Sequence, residues 1–227
     1  MKNSPVRVTI VGAAGRMGKA VRELAENDPK LQISALCDLG DAIEPAINSC
    51  DVAIDFSQAG SVDEICGAAA RFGKSLVIGT TGHSPQQRKT IEATTRAVPI
   101  VLASNFSVGV NVLFWLTQKT AELLGPTFNP EIVETHHKMK KDAPSGTAKT
   151  LAEILKTAQD CEIPVQSIRE GDVVGEHTVI FQGPGESLEL SHRAADRGIF
   201  AAGALRAAKW IINKPPGLYT MQDVLGL

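Results

Sequence analysis

From Val6 to Val11 the chain reads V-R-V-T-I-V, an apolar and β-branched run that breaks at Gly12. This predicts a buried strand ending in a turn. Met17, Val21, Leu24 and Ala25 then fall on one face of a helix. A second apolar strand, Ile33 to Cys37, follows and ends at Asp38. The alternation continues with strand Asp51 to Phe56, helix Ser61 to Phe72, strand Ser75 to Thr80, helix Pro85 to Ala97 and strand Ile100 to Ala103. Strands alternating with helices predict an α/β fold with a doubly wound parallel sheet of the Rossmann type.

After Asn105 the rhythm changes. Ser107 to Leu124 reads as one long helix with Val108, Val112, Trp115, Leu116, Leu123 and Leu124 mainly as core, ended by Gly125-Pro126. Ala148 to Ala158 reads as a helix with Leu151, Ile154 and Leu155 on one face. The short alternating runs Val165 to Ile168, His177 to Phe181 and Ser187 to Ser191 predict a mostly antiparallel sheet, with Gly183-Pro184-Gly185 joining the last two. A final helix, Ile199 to Ile212, stops before Pro215-Pro216.

The pattern therefore divides the chain at about Phe106 to Val108, without a flexible tether. Residues 1–106, completed by a returning C-terminal helix at about 199–227, form a dinucleotide-binding domain. Residues 107–198 form a second α+β domain, with the active site expected between the two. No repeat or low-complexity tract is visible.

Composition narrows the partners. With 227 residues, 43% of them hydrophobic, the chain is long enough for two small domains. A net charge of −2 gives no support to nucleic-acid binding, which needs a basic surface. The most apolar segment, Val108 to Leu116, is far shorter than the roughly 20 residues that cross a bilayer, so no membrane span is expected. Cys37, Cys50, Cys66 and Cys161 form no C-x-x-C pair, and no secretory leader is recognisable. Reduced thiols and a cytoplasmic location follow.

The turn after the first strand reads Gly12-Ala13-Ala14-Gly15-Arg16-Met17-Gly18, a G-x-x-G-x-x-G variant of the dinucleotide fingerprint. Its glycines permit the tight turn, let backbone approach a pyrophosphate and allow close helix–strand contact. Asp38 lies 20 residues beyond Gly18, where a carboxylate grips the adenosine ribose. That carboxylate favours NADH over NADPH and Leu39 adds no positive charge, whereas Arg16 can offset the repulsion, so both cofactors stay open. The later strands end at Asp55-Phe56-Ser57, at Gly79-Thr80-Thr81-Gly82 and at Ala103-Ser104-Asn105-Phe106, the edge where such sheets bind ligands. Gly79, Thr80, Thr81, Ala103, Ser104, Asn105 and Phe106 are thus candidates to approach the nicotinamide and its ribose. The alternative is ordinary turn chemistry.

Candidate substrate chemistry sits in Glu131 to Ala148, E-I-V-E-T-H-H-K-M-K-K-D-A-P-S-G-T-A. His136 and His137 stand beside Lys138, Lys140 and Lys141, and Pro144-Ser145-Gly146-Thr147 opens a helix whose first amides can hold an anion. A solvated positive face next to a well-capped helix is the plainer alternative. On a strand, His136 and His137 point to opposite faces; in a helix, His136 and Lys140 share one. Either way the two histidines have different roles. Adjacent histidines with distant His83, His177 and His192 offer no zinc spacing, so no metal is expected. Ser145 lacks the G-x-S-x-G elbow of a nucleophile.

These residues resemble the dihydrodipicolinate reductase family of bacterial lysine biosynthesis. The resemblance rests on G-A-A-G-R-M-G at 12 to 18, D-F-S at 55 to 57, G-T-T-G at 79 to 82 and N-F-S-V-G-V-N-V at 105 to 112. It rests above all on E-x-H-H-x-x-K-x-D-A-P-S-G-T-A from Glu134 to Ala148, and it extends to G-D-V-V-G-E-H-T-V from Gly171 to Val179. It implies NADH- or NADPH-dependent reduction of a cyclic unsaturated dicarboxylate, 4-hydroxy-tetrahydrodipicolinate, with loss of water. It implies acid/base duty for His136, proton donation by Lys140 and substrate binding by His137, Gly146 and Thr147. It also implies a homotetramer built through the second domain's sheet, with connections shorter than usual after Asp38 and across Cys161 to Ile168. Another two-domain dehydrogenase of a small dicarboxylate or imine, or a non-catalytic dinucleotide sensor, would share the first half but not the full second motif.

Overall fold

A computed structural model describes residues 4–159 and 162–227, so Cys161 lies outside the described residues. In chain order the main elements are β1 Val6–Val11, α1 Arg16–Glu26, β2 Leu31–Cys37, α2 Ile43–Asn48, β3 Val52–Asp55, α3 Val62–Phe72, β4 Ser75–Ile78, α4 Pro85–Thr94 and β5 Pro99–Leu102. They continue with α5 Val108–Leu124, β6 Asn129–His136, α6 Gly146–Gln159, β7 Val165–Arg169, β8 Gly175–Gly183, β9 Glu186–Ala194, α7 Gly198–Ile211, β10 Gly217–Tyr219 and α8 Met221–Leu225. Two compact units result. One combines residues up to Ser107 with Gly198–Gly226, the other is Val108–Arg197.

The first unit is a six-stranded sheet in the order β10-β5-β4-β3-β1-β2, every pair parallel. The strands are short and apolar because both faces are covered, and each residue of β3 and β4 is buried. Alternation sends Val8, Ile10, Val52, Ile54 and Val77 to a core with α1, α7 and α8. Val11, Ala53, Leu76 and Ile78 go to a core with α2, α3 and α4 on the opposite face. The short edge strand β10 and helix α8 were not anticipated. Leu24, expected on the buried face of α1, is 37% exposed, while Gly18, Val21 and Ala25 are buried.

Cys37, Cys50 and Cys66 are buried and free. Burial raises each of these thiols, Cys66 to about 11, so none is a reactive thiolate.

The second unit has a four-stranded sheet, β7-β6-β8-β9, with β6–β7 parallel and the other pairs antiparallel. Val110, Leu113, Phe114 and Ala121 of α5 join Leu151 and Leu155 of α6 in its core. Here the expected face of α5 was rotated. Val108 and Leu116 are each 36% exposed and Leu123 is 86% exposed, while the buried stripe includes the polar Asn111 and Thr117. A helix apolar on several sides does not reveal its packed face by hydrophobicity, and polar members hide the true stripe. No helix among the described residues is long and apolar enough to cross a membrane.

Candidate active site

In the first unit, β1 delivers the chain to Gly12, whose φ of +82° is a left-handed conformation suited to glycine. A Cβ there would lie 2.6 Å from the Phe56 carbonyl oxygen, and one at Gly18 would lie 2.1 Å from the Gly12 oxygen. These two positions let the turn pass against β3 and let α1 close onto it. Gly12 and Ala13 donate their N–H groups to the Cys37 carbonyl at 2.8 and 3.1 Å. Ala14 N–H donates to both Asp38 carboxylate oxygens, at 3.0 and 2.9 Å. Asp41 in turn accepts from the Asp38 amide at 2.8 Å.

The N-terminus of α1 has only Gly15 at its cap and no side-chain hydrogen bond there, so its first amides keep their donors for a ligand. A cavity of about 380 Å³ lies beside the turn, lined among others by Gly12, Gly15, Asp38, Asp41, Ser57 and Glu64. A glycine turn, an uncapped helix start and a carboxylate beside a cavity fit the phosphate and ribose portions of a nicotinamide dinucleotide.

Other named candidates sit around this core differently. Ala14 and Arg16 are exposed on the turn, whereas Ala13 is buried and Met17 packs partly into the core. Gly79 follows β4 and abuts the Phe56 ring, where a Cβ would fall 2.1 Å from a ring carbon. Thr80 is buried and Thr81 exposed. Ala103, Ser104, Asn105 and Phe106 follow β5; Asn105 accepts the Ser107 N–H at 2.9 Å, and Phe106 is buried edge-on to Phe56 at 5.8 Å. The cavity also takes in Leu39, weighed from sequence only for its lack of charge, and Gly40, Asp41, Gln58, Ser61 and Glu64, none of them proposed from sequence as cofactor residues.

In the second unit, β6 alternates so that Ile132, Glu134 and His136 are all buried. Its antiparallel register with β8 places Glu134 opposite His177, and its parallel register with β7 places His136 opposite Arg169. Sheet register thus gathers one acid, two imidazoles and a guanidinium from three strands. Glu134 is hydrogen-bonded to His136 Nδ1 through Oε2, and through Oε1 it accepts from Arg169 at 2.8 Å and from the Ser145 amide at 3.3 Å. Arg169 also donates to the Asp142 carbonyl at 2.7 Å. Ser145 Oγ accepts from the Ala148 amide at 3.2 Å, capping α6, and lies 3.1 Å from His177 Nε2. The His136 and His177 rings meet edge-on at 5.1 Å.

Burial pushes the Glu134 carboxyl up, but hydrogen bonds from Arg169, Ser167 and His136 together hold it below the usual carboxylate range. Burial lowers His136, and with Lys140 and Arg169 pushing the same way it stays below its ordinary value although the Glu134 carboxylate raises it. His177 is lowered to about 4 by burial and by His136. The buried centre is therefore an ionised acid with two neutral imidazoles at neutral pH.

His136 is the last residue of β6. Residues 138–139 turn rather than start a helix, and Lys140 follows in the loop with its ammonium on Asp142 at 2.9 Å. His137 is half-buried, its amide held by the Val173 carbonyl at 2.8 Å. Gly146 and Thr147 form the first turn of α6. Lys138 and Lys141 are exposed.

Glu134, His136 and His177 are also the cluster, among the described residues, whose ligand atoms lie close enough for a metal, within 4.8 Å of one another. Both Glu134 oxygens are already taken by donors, one of them a guanidinium, so the donor set suits a hydrogen-bond network better than a cation. Sequence reasoning missed Glu134, Arg169 and His177. Period-two alternation back from His136 points to Glu134, and His177 falls within the G-D-V-V-G-E-H-T-V motif without a role attached; no local signal points to Arg169.

Comparison with known proteins gives the family of the chain and the likeness of its fold. Dihydrodipicolinate reductase family models match twice, the N-terminal one over residues 6–106 and the C-terminal one over residues 109–225. The 4-hydroxy-tetrahydrodipicolinate reductase of Akkermansia muciniphila is 47% identical over 98% of both chains. That of Methanoculleus marisnigri is 43% identical over 98% of this chain and all of its own. Among solved structures, a dipicolinate-bound dihydrodipicolinate reductase from Paenisporosarcina sp. TG-14 shares the fold with a TM-score of 0.81 at 21% identity, covering 96% of this chain and 98% of its own. GenD2 from gentamicin A biosynthesis, in complex with NAD, shares it with a TM-score of 0.65 at 12% identity, covering 99% and 91%.

Proposed function

The chain belongs to the dihydrodipicolinate reductase family, and on that premise we propose that it reduces 4-hydroxy-tetrahydrodipicolinate to tetrahydrodipicolinate with loss of water, preferring NADH to NADPH. The observation that carries the reading is the buried His136, held by Glu134 at the end of β6 and followed by Lys140 in the same loop. When bound in the first unit, the reduced nicotinamide supplies hydride. Gly12, Gly15 and the first amides of α1 hold its phosphates, and Asp38 holds the adenosine ribose.

In the second unit, His136 handles the acid/base step and Lys140 donates the proton that must accompany a hydride. His137 and the α6 N-terminus at Gly146-Thr147 grip the substrate carboxylates. The cofactor preference is supported by the cavity lining, which carries Asp38, Asp41 and Glu64 and no lysine or arginine. A 2′-phosphate there would meet this negative charge, with Arg16, exposed on the neighbouring turn, as the cation that could offset it. The same reading carries a cytoplasmic homotetramer, supported by three reduced buried thiols and by an exposed outer strand, β9, with Leu188 42% exposed.

The test is an assay coupled to dihydrodipicolinate synthase, following oxidation of NADH and NADPH separately. Oxidation of both, faster with NADH, is expected. No oxidation of either overturns the reductase reading in favour of dinucleotide sensing, and equal rates overturn the preference alone.

A further inference from the structure

We propose that Glu134 is a positioning residue that fixes the tautomer of His136, so that Nε2 is the nitrogen that exchanges the proton, and that Gly175 keeps the space beside Nε2 open. This rests on the reading of His136 as the acid/base group. Glu134 accepts from Arg169 Nη2 and from the Ser145 amide on Oε1, which hold it ionised, and its Oε2 meets His136 Nδ1. A carboxylate so surrounded accepts, so Nδ1 must carry the hydrogen. A neutral imidazole with its hydrogen on Nδ1 has its lone pair on Nε2.

Gly175, the first residue of β8, lies against that nitrogen. A Cβ at this position would fall 3.0 Å from His136 Nε2 and 3.4 Å from Cδ2. A side chain at residue 175 would crowd the atom the chemistry needs. The charged and titratable groups that face His136 are Glu134 on its own strand, Arg169 on β7, His177 on β8 and Lys140 in the following loop. Among the described residues, Glu134 is the hydrogen-bond partner of Nδ1. The proton balance is simple: Nε2 takes the proton that the Lys140 ammonium gives up, leaving a neutral amine, its N–H bond breaks as the substrate atom gains that proton, and the ring returns to the neutral Nδ1–H form.

Long-range ¹⁵N–¹H correlation spectra of the full chain report the His136 tautomer directly, and the wild type needs no variant to be informative. The Nδ1–H form is expected; an Nε2–H form overturns the proposal. In Glu134→Gln the Nδ1–H population should fall, kcat should drop at least about tenfold with KM for NADH unchanged, and the basic limb of the kcat profile should move to lower pH. A merely structural role for Glu134 would leave tautomer and limb in place, and that result also overturns the proposal. A shifted tautomer with unchanged turnover removes His136 from proton transfer, overturning the parent reading and the service assigned to Glu134 while leaving the tautomer assignment itself standing. As a second check, Gly175→Ala should lower kcat with the tautomer retained, and wild-type turnover in that variant overturns the role of Gly175.

Discussion

The turn at Gly12 and the network around His136 are sites of opposite construction. The first is made by leaving things out: no Cβ at Gly12 or Gly18, no side chain to cap α1, and backbone amides left for a ligand. The second is made by burying charge, with Glu134, fully enclosed, tied to Arg169, His136 and Ser145. A site of the first kind tolerates little added volume. One of the second kind tolerates little change of charge, since removing one partner of a buried pair costs about 3–5 kcal/mol.

The contrast can be broken at either end. The largest effect is expected from Gly18→Ala, whose methyl would fall 2.1 Å from the Gly12 oxygen. We expect a loss of about 3 kcal/mol in stability. NADH affinity should fall at least about tenfold, while the His136 tautomer is unchanged. Urea melts and NADH fluorescence titration check this, and wild-type affinity would contradict the account of the turn.

A smaller effect sharpens the other end. His177 titrates at about 4 when folded, against an ordinary value of 6.5. As pH falls the unfolded chain therefore takes up this proton first. The stability His177 contributes is fully present above about pH 6.5 and is lost as pH drops toward 4, by about 2–3 kcal/mol. Melts at several pH values should show this slope, and His177→Asn should flatten it. An unaltered slope would show that another group drives the acid sensitivity.

The same difference in construction explains what could be read from sequence. The turn is local. β1, Gly12 to Gly18, α1 and Asp38 follow one another within 33 residues from Val6 to Asp38, so spacing alone identifies them. In the second unit His136 and Lys140 stand out as residue types, but what surrounds His136 comes through sheet register from residues 33 and 41 positions away, Arg169 and His177. No periodicity encodes that pairing. The packed face of α5 was misread for a related reason, because Asn111 and Thr117 join the buried stripe while Leu123 lies outside it. The three-residue strand β10 is too short to carry a pattern.

The central claim is a division of labour, in which the first unit grips the cofactor and His136 of the second handles the proton. His136→Gln tests it most directly, with turnover in the coupled assay and NADH affinity measured on one preparation. The account predicts a fall in kcat of at least about a hundredfold with NADH affinity within about twofold of wild type. Unchanged turnover, or a loss of NADH affinity in step with kcat, would contradict it.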